Sequence, residues 1–219
     1  MFDAVIFDWD GTLADTHSFV VNSFQKALIS FGCKIDDEFI KRRIGIGARN
    51  TIKEALQAAN MPLDESVIDQ LVEQKIEAQM EQTEVISLFE GAYEVLSSLK
   101  AKVKMALATM NNRAVIDKLL AERGLKPYFN VVITVDEVVQ PKPDPEIFLK
   151  CAINLRCHPR NCVVLEDSVY GIEAAKKAKM KCIAIPTGAF TLTELERQKP
   201  DLIVTSLRKT EEILNFVLC

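Results

Sequence analysis

The sequence predicts an α/β fold in which a parallel sheet carries helices on both faces and is interrupted by an all-helical insert. Three observations lead there. The chain enters at once on a short apolar run, Ala4 to Phe7, which reads as a buried strand. For about seventy residues after Asp15 the strand signal disappears, and apolar residues recur only at helical spacing. From about residue 89 strand-like and helix-like segments alternate, the pattern of a parallel sheet wrapped by helices.

Within the insert, Phe19, Val20, Phe24, Ala27, Leu28 and Phe31 mark a first helix that stops at Gly32. Ile52, Ala55, Leu56 and Ala59 mark a second, closed by Asn60-Met61-Pro62. Asp64 is placed to cap a third, which carries Val67, Ile68, Leu71, Val72, Ile76 and Met80. The second half predicts helix 91–99, strand 103–108, helix 112–123 ending at Gly124, strand 131–135 and helix 144–155. Strand 162–166, helix 169–178, strand 182–185, a last strand at 202–204 and a helix from about 207 to 217 follow. Right-handed crossovers restrict how such units connect. The loop Ile44-Gly45-Ile46-Gly47 lacks the third glycine of a dinucleotide-binding turn and follows a helical stretch.

Composition narrows the function. Apolar residues make up 48% of the chain and charged residues 26%, ordinary for a soluble globular protein. No apolar stretch reaches membrane-spanning length, and the N-terminus shows no basic and apolar leader, so a cytoplasmic enzyme is expected. A net charge of −4 argues against a nucleic-acid partner. Residues 15–88 hold 12 acids and 8 bases, which accounts for the whole imbalance, so attraction for an anionic substrate must be local. The six cysteines form no Cys-x-x-Cys pair, and the Cys157, His158, Cys162 spacing fits no common zinc site.

The chemistry is announced where strands end. Asp8 and Asp10 close the first apolar run, and Gly11-Thr12 turns the chain away. Burying unpaired acids is costly, whereas α/β proteins place ligands outside the carboxyl ends of their strands. Two like charges that close require a shared proton or a cation, and magnesium suits a set of oxygen ligands. The anomaly repeats at Glu166 and Asp167, after Val163-Val164-Leu165. Thr109 closes the run Met105 to Ala108 just before a helix, where a hydroxyl and free N–H groups can cradle phosphate. Lys142 is held between Pro141 and Pro143, a stiff setting for a long side chain.

Taken in order, Asp8-x-Asp10-Gly11-Thr12-Leu13-x-Asp15, Thr109, Lys142-Pro143-Asp144-Pro145 and Glu166-Asp167-Ser168 resemble the four motifs of the haloacid dehalogenase superfamily of phosphohydrolases. The resemblance implies a Rossmann-like catalytic core of residues 1–14 and 89–219 and a helical cap domain of residues 15–88. It implies Asp8 as nucleophile forming an aspartyl phosphate, and Asp10 as general acid and base. Thr109 and the Met110 amide would hold the phosphoryl group, Asn111 would assist or cap the helix, and Lys142 would neutralise charge. Asp8, Asp10 (through its backbone carbonyl), Asp167 and Glu166, directly or through water, would hold Mg²⁺. Arg49 is the cap base expected to face the site, whereas Lys41, Arg42 and Arg43 read as a solvated helix face. His17 reads as structural or exposed.

The expected activity is Mg²⁺-dependent hydrolysis of a small phosphorylated metabolite, a sugar phosphate or a phosphoglycolate-like compound. A sugar phosphomutase similar to β-phosphoglucomutase is the alternative, and a receiver-like phospho-aspartate signalling domain a more distant one. Such mutases carry a histidine in the first cap helix, and aligned without gaps from Asp15 the corresponding position, five residues on, is Val20. Cap pockets are built from residues distant in sequence, so the substrate and the oligomeric state are not legible at this level.

Overall fold

The computed structural model describes all 219 residues. In chain order the elements are β1 (Ala4–Phe7), β2 (Ala14–Asp15), α1 (His17–Ser30), α2 (Asp37–Lys41), α3 (Ala48–Ala58), α4 (Glu65–Met80) and β3 (Ser87–Leu88). Then come α5 (Ala92–Leu99), β4 (Lys104–Ala108), α6 (Arg113–Glu122), β5 (Val131–Ile133), α7 (Glu146–Leu155) and β6 (Cys162–Glu166). The chain finishes with α8 (Val169–Lys177), β7 (Lys181–Ala184), α9 (Leu192–Arg197), β8 (Leu202–Ile203) and α10 (Thr210–Leu218). No helix is long and apolar enough to cross a membrane.

Six strands form one sheet in the order β5-β4-β1-β6-β7-β8, and every neighbouring pair is parallel. The first strand is therefore central, with Phe7 paired to Leu107 on one side and Leu165 on the other. Because side chains alternate across a strand, Val5 and Phe7 join one buried cluster while Ala4 and Ile6 join another. Helix α7 packs its Ile147, Phe148 and Cys151 into the second cluster. Helices α5, α6 and α10 cover the first, which runs on without a break into Phe24, Leu28, Ile52, Ile68 and Leu71 of the insert. Both sheet faces are thus covered, which is why the strands are apolar throughout rather than alternating.

The insert is helical as the spacing predicts. Asp64 caps α4 through Oδ1, which accepts the Ser66 amide at 2.8 Å. Where the chain leaves and re-enters the sheet layer, β2 and β3 pair antiparallel, Ala14 with Leu88 and Asp15 with Ser87. The consequence for the site is geometric: the carboxyl ends of β4, β1 and β6 lie side by side beneath the insert.

Candidate active site

Asp8 follows β1 directly, its N–H donating to the Leu165 carbonyl at 3.1 Å. The next residues fold into a tight loop in which Thr12, Leu13 and Ala14 all direct their N–H groups at the Trp9 carbonyl. Trp9 itself is fully buried and anchors that loop in the core. Gly11 has φ +84, and a Cβ there would sit 2.4 Å from Asp167 Oδ2 and 2.5 Å from His17 Cε1. A side chain at position 11 would therefore both strain the backbone and fill the space beside Asp167.

Lys142 lies at the centre. It is 1% exposed, and its Nζ donates to Asp8 Oδ1 and Glu166 Oε1, each at 2.6 Å, and to the Ala108 carbonyl at 3.3 Å. Burial pushes this ammonium down, but Asp8 and Glu166 together outweigh it and hold Lys142 above its ordinary value. Asp8 moves the other way. Burial raises it well above the usual carboxylate range, the Lys142 charge offsets part of this, and Glu166 and Asp10 push it further up. Asp167 is raised likewise by burial and by the Glu166 and Asp8 charges. Its Oδ1 accepts from the Thr12 hydroxyl at 3.2 Å, and His17 Nε2 stands 3.8 Å from Oδ2. His17 is buried, in line with a structural place rather than a solvated one.

Asp8, Glu166 and Asp167 each bring an oxygen into a group spanning no more than 4.8 Å. Three buried carboxylates with one lysine between them leave negative charge uncompensated, and a hard cation on oxygen ligands answers that deficit. The donor set therefore fits Mg²⁺. Glu166, expected to ligate directly or through water, is already heavily engaged. Its Oε1 takes Lys142, and its Oε2 accepts the Asp167 and Ser168 amides at 3.1 Å each and the Ser168 hydroxyl at 2.9 Å. Gly171 makes room for it, since a Cβ there would lie 1.8 Å from the Glu166 carboxyl carbon. The geometry makes Glu166 first of all the partner that holds Lys142.

Asp10 stands apart from that group of three. Its Oδ2 accepts from the Thr109 hydroxyl at 3.4 Å, while its Oδ1 is buried with no partner. Thr109, at the end of β4, also accepts the Asn111 amide at 3.1 Å. Asn111 is buried, and its Oδ1 receives the Asn112 amide at 2.9 Å and Lys75 at 3.1 Å. Met110, also buried, helps to line a small cavity of ≈ 20 Å³ between the sheet ends and the insert. Asp10, Val20, Phe24, Arg43, Lys75 and Asn111 share its walls.

The insert bases are not arranged as expected. Arg49 does not turn to the cavity. It is exposed on α3, tied to Glu65 at 2.5 Å and to Asp69, because the acidic first turns of α4 offer it closer partners than the site does. Arg42 reaches Glu194 on α9 at 2.5 Å, and Arg43, a cavity wall, is paired with Glu54 at 2.6 Å. The base that does reach the site was missed. Lys75 on α4 is buried, and burial pulls its ammonium down to about 8 against the opposing pull of Asp10 and Asp136. Its signal was in the sequence: Ile68, Leu71 and Lys75 repeat at helical spacing, so a lysine sits in the apolar stripe of α4.

Comparison with known proteins agrees with this architecture. A family model described as haloacid dehalogenase-like hydrolase matches residues 5–185. The fructose-1-phosphate phosphatase YqaB of Escherichia coli is 31% identical over 190 residues, covering 84% of this chain and 96% of that protein. A phosphorylated carbohydrates phosphatase of Thermotoga maritima is 31% identical over 220 residues, 98% of each chain. Among solved structures, a β-phosphoglucomutase from Clostridium difficile superposes with a TM-score of 0.87 at 25% identity, over 98% of this chain and 96% of that one. On a match that spans most of the chain and both halves of the site, the protein belongs to the haloacid dehalogenase-like hydrolases.

Proposed function

We propose that the chain is a phosphoric monoester hydrolase that works on a small phosphorylated metabolite through a phosphorylated Asp8, with Mg²⁺ as cofactor. The observation that carries the reading is the buried group of Asp8, Glu166 and Asp167 gathered on Lys142 at the ends of adjacent parallel strands. Such an arrangement is costly for stability and has a purpose only if something anionic and something cationic visit it.

Lys142 engages Asp8 Oδ1, which leaves Oδ2 to attack phosphorus. The new Asp8 O–P bond forms as the ester P–O bond breaks, which splits one slow hydrolysis into two faster steps. Asp10, which lines the cavity and whose Oδ1 has no partner, gives its proton to the departing oxygen. It then takes a proton from water as that water attacks the phosphoaspartate, releasing phosphate and restoring Asp8. Thr109 orients Asp10 and, with the Met110 amide, cradles the phosphoryl oxygens. Asp8, Asp167 and the Asp10 carbonyl would hold Mg²⁺, which when bound neutralises charge on the phosphoryl oxygens. Residues 15–88 act in this reading as a cap that closes the leaving-group side from water. Six free cysteines suit a cytoplasmic setting.

The likeness to a β-phosphoglucomutase keeps a mutase as the second reading. Val20 lines the cavity where those enzymes carry a histidine, and a valine can neither donate nor accept a proton. Hydrolysis is therefore the expected outcome. A panel of phosphorylated metabolites with Mg²⁺ should yield free phosphate. Rapid conversion of β-glucose 1-phosphate to glucose 6-phosphate without phosphate release, given a trace of bisphosphate, would reverse the choice.

A further inference from the structure

One wall of the cavity carries chemistry that phosphoryl transfer does not use. Lys75 is 3% exposed and donates to two acceptors, Gln79 Oε1 and Asn111 Oδ1. Both are neutral amides. No carboxylate lies within ion-pair distance of its Nζ, and the Phe24 ring, 5.5 Å away, offers only partial compensation. Asp10 and Asp136 act on it through space without reaching it. Gln79 is fully buried and spends its oxygen on Lys75, so its Nε2 is left with no acceptor at all. The other cation on the wall, Arg43, is already paired with Glu54.

This end of the cavity therefore presents one buried positive charge with no carboxylate paired to it, held from behind by an amide whose own N–H is unmade. A buried charge is tolerated where something pairs with it, and a buried amide N–H left unmade is costly. The same cavity is bounded by Asp10, the group that serves the leaving oxygen, so whatever fills it belongs to the leaving group. A neutral hydroxyl could accept one hydrogen bond from Lys75 but would leave its charge unpaired. An anionic group satisfies both.

Resting on the phosphatase reading above, we propose that Lys75 is the specificity residue of the leaving-group pocket. It selects small phosphate monoesters that carry a second anionic group a few bonds from the ester oxygen, over phosphates of neutral polyols. Gln79 holds the ammonium in place through its Oε1.

The test compares matched substrates with Mg²⁺ present. 2-Phosphoglycolate and 3-phosphoglycerate carry a carboxylate, a short diol bisphosphate carries a second phosphate, and ethylene glycol phosphate and glycerol 3-phosphate carry neither. The wild-type enzyme should favour the anionic set in kcat/KM by about tenfold or more, and the two anionic arms show whether carboxylate or phosphate is preferred. Lys75→Met should cut kcat/KM for the anionic set by about 100-fold, the loss expected on truncating one side of a buried charge pair, and should erase most of the preference. Lys75→Arg should recover part of it. A wild-type preference for the neutral set, or an equal loss on both sets in Lys75→Met, overturns the inference. If Lys75→Met does not fold, the wild-type preference alone decides. Failure of the wild-type protein to hydrolyse any monoester, p-nitrophenyl phosphate included, would instead overturn the phosphatase reading, which keeps the two failures apart.

Discussion

Replacing Lys142 with Met removes one cation from a place where two carboxylates depend on it. In the native chain its Nζ bonds Asp8 and Glu166 at 2.6 Å each, with all three side chains buried. Methionine keeps the apolar stem but loses the ammonium that sits 5.0 Å from the Phe148 ring centre and leaves both acids facing each other, with Asp167 in the same 4.8 Å group. Breaking a buried ion pair by removing one partner costs about 3–5 kcal/mol. In a chain of this size each kcal/mol shifts Tm by about 2–4 °C, so the variant should melt about 6–20 °C lower in metal-free buffer at neutral pH. The pH dependence has a definite sign. Asp8 is already raised above its unfolded value by burial, and without Lys142 nothing pulls it back down. A raised carboxylate costs stability while ionised, above its folded pKa, and that cost fades as pH falls toward the unfolded value near 3.8. The gap between wild type and variant should therefore narrow from pH 8 to pH 5, and Mg²⁺ should narrow it at any of these pH values. Scanning calorimetry with and without Mg²⁺ measures both effects. A variant that melts with the wild type, or a gap that widens on acidification, would refute the electrostatic account of the site.

Three other outcomes follow from the same geometry. Asp10→Asn should slow hydrolysis of an alkyl phosphate more than of p-nitrophenyl phosphate in the first chemical step, because a good leaving group needs little protonation. Equal first-step losses on both substrates, measured by burst kinetics, would deny Asp10 the acid role. Stripping divalent metal should stop phosphate release, and Mg²⁺ should restore it; full activity in excess chelator would contradict the ligand assignment. In wild-type protein without metal, stability should fall as pH rises from about 4, since Asp8 and Asp167 are both raised and each binds its proton more tightly folded than unfolded. Thermal melts across pH 4 to 8 check this, and a rise in stability over that range would count against it.

The fold class was legible because the strands are buried on both faces and so read as plain apolar runs, each stopped by a polar group. The ends of Ala4–Phe7 and Cys162–Glu166 were visible for that reason. Short elements were not. Helix α2 has five residues and rests on Asp36, whose side chain accepts the Phe39 amide at 2.6 Å, too little length for a periodic signal. β2 and β3 have two residues each and exist only because distant segments meet. The strand expected at 131–135 stops at Ile133, because Thr134 and Glu137 form a capping box that turns the chain. The last helix begins at Thr210 rather than 207, after a turn in which the Lys209 amide bonds Ser206. Acids at strand ends stood out because their neighbours are apolar. Arg49 and Lys75 were confused because sequence shows a base but not its partners: Arg49 pairs with Glu65 and Asp69, whereas Lys75 has no carboxylate within ion-pair distance and donates to Gln79 and Asn111.

The central claim is that Asp8 becomes phosphorylated. Asp10→Asn should slow the release of phosphate from that intermediate, so a rapid-quench experiment with ³²P-labelled p-nitrophenyl phosphate and this variant should catch it. The account predicts near-stoichiometric, base-labile label on the peptide that contains Asp8, and none when Asp8→Asn is added. Turnover with no label on that peptide, or label that persists in the double variant, would contradict it.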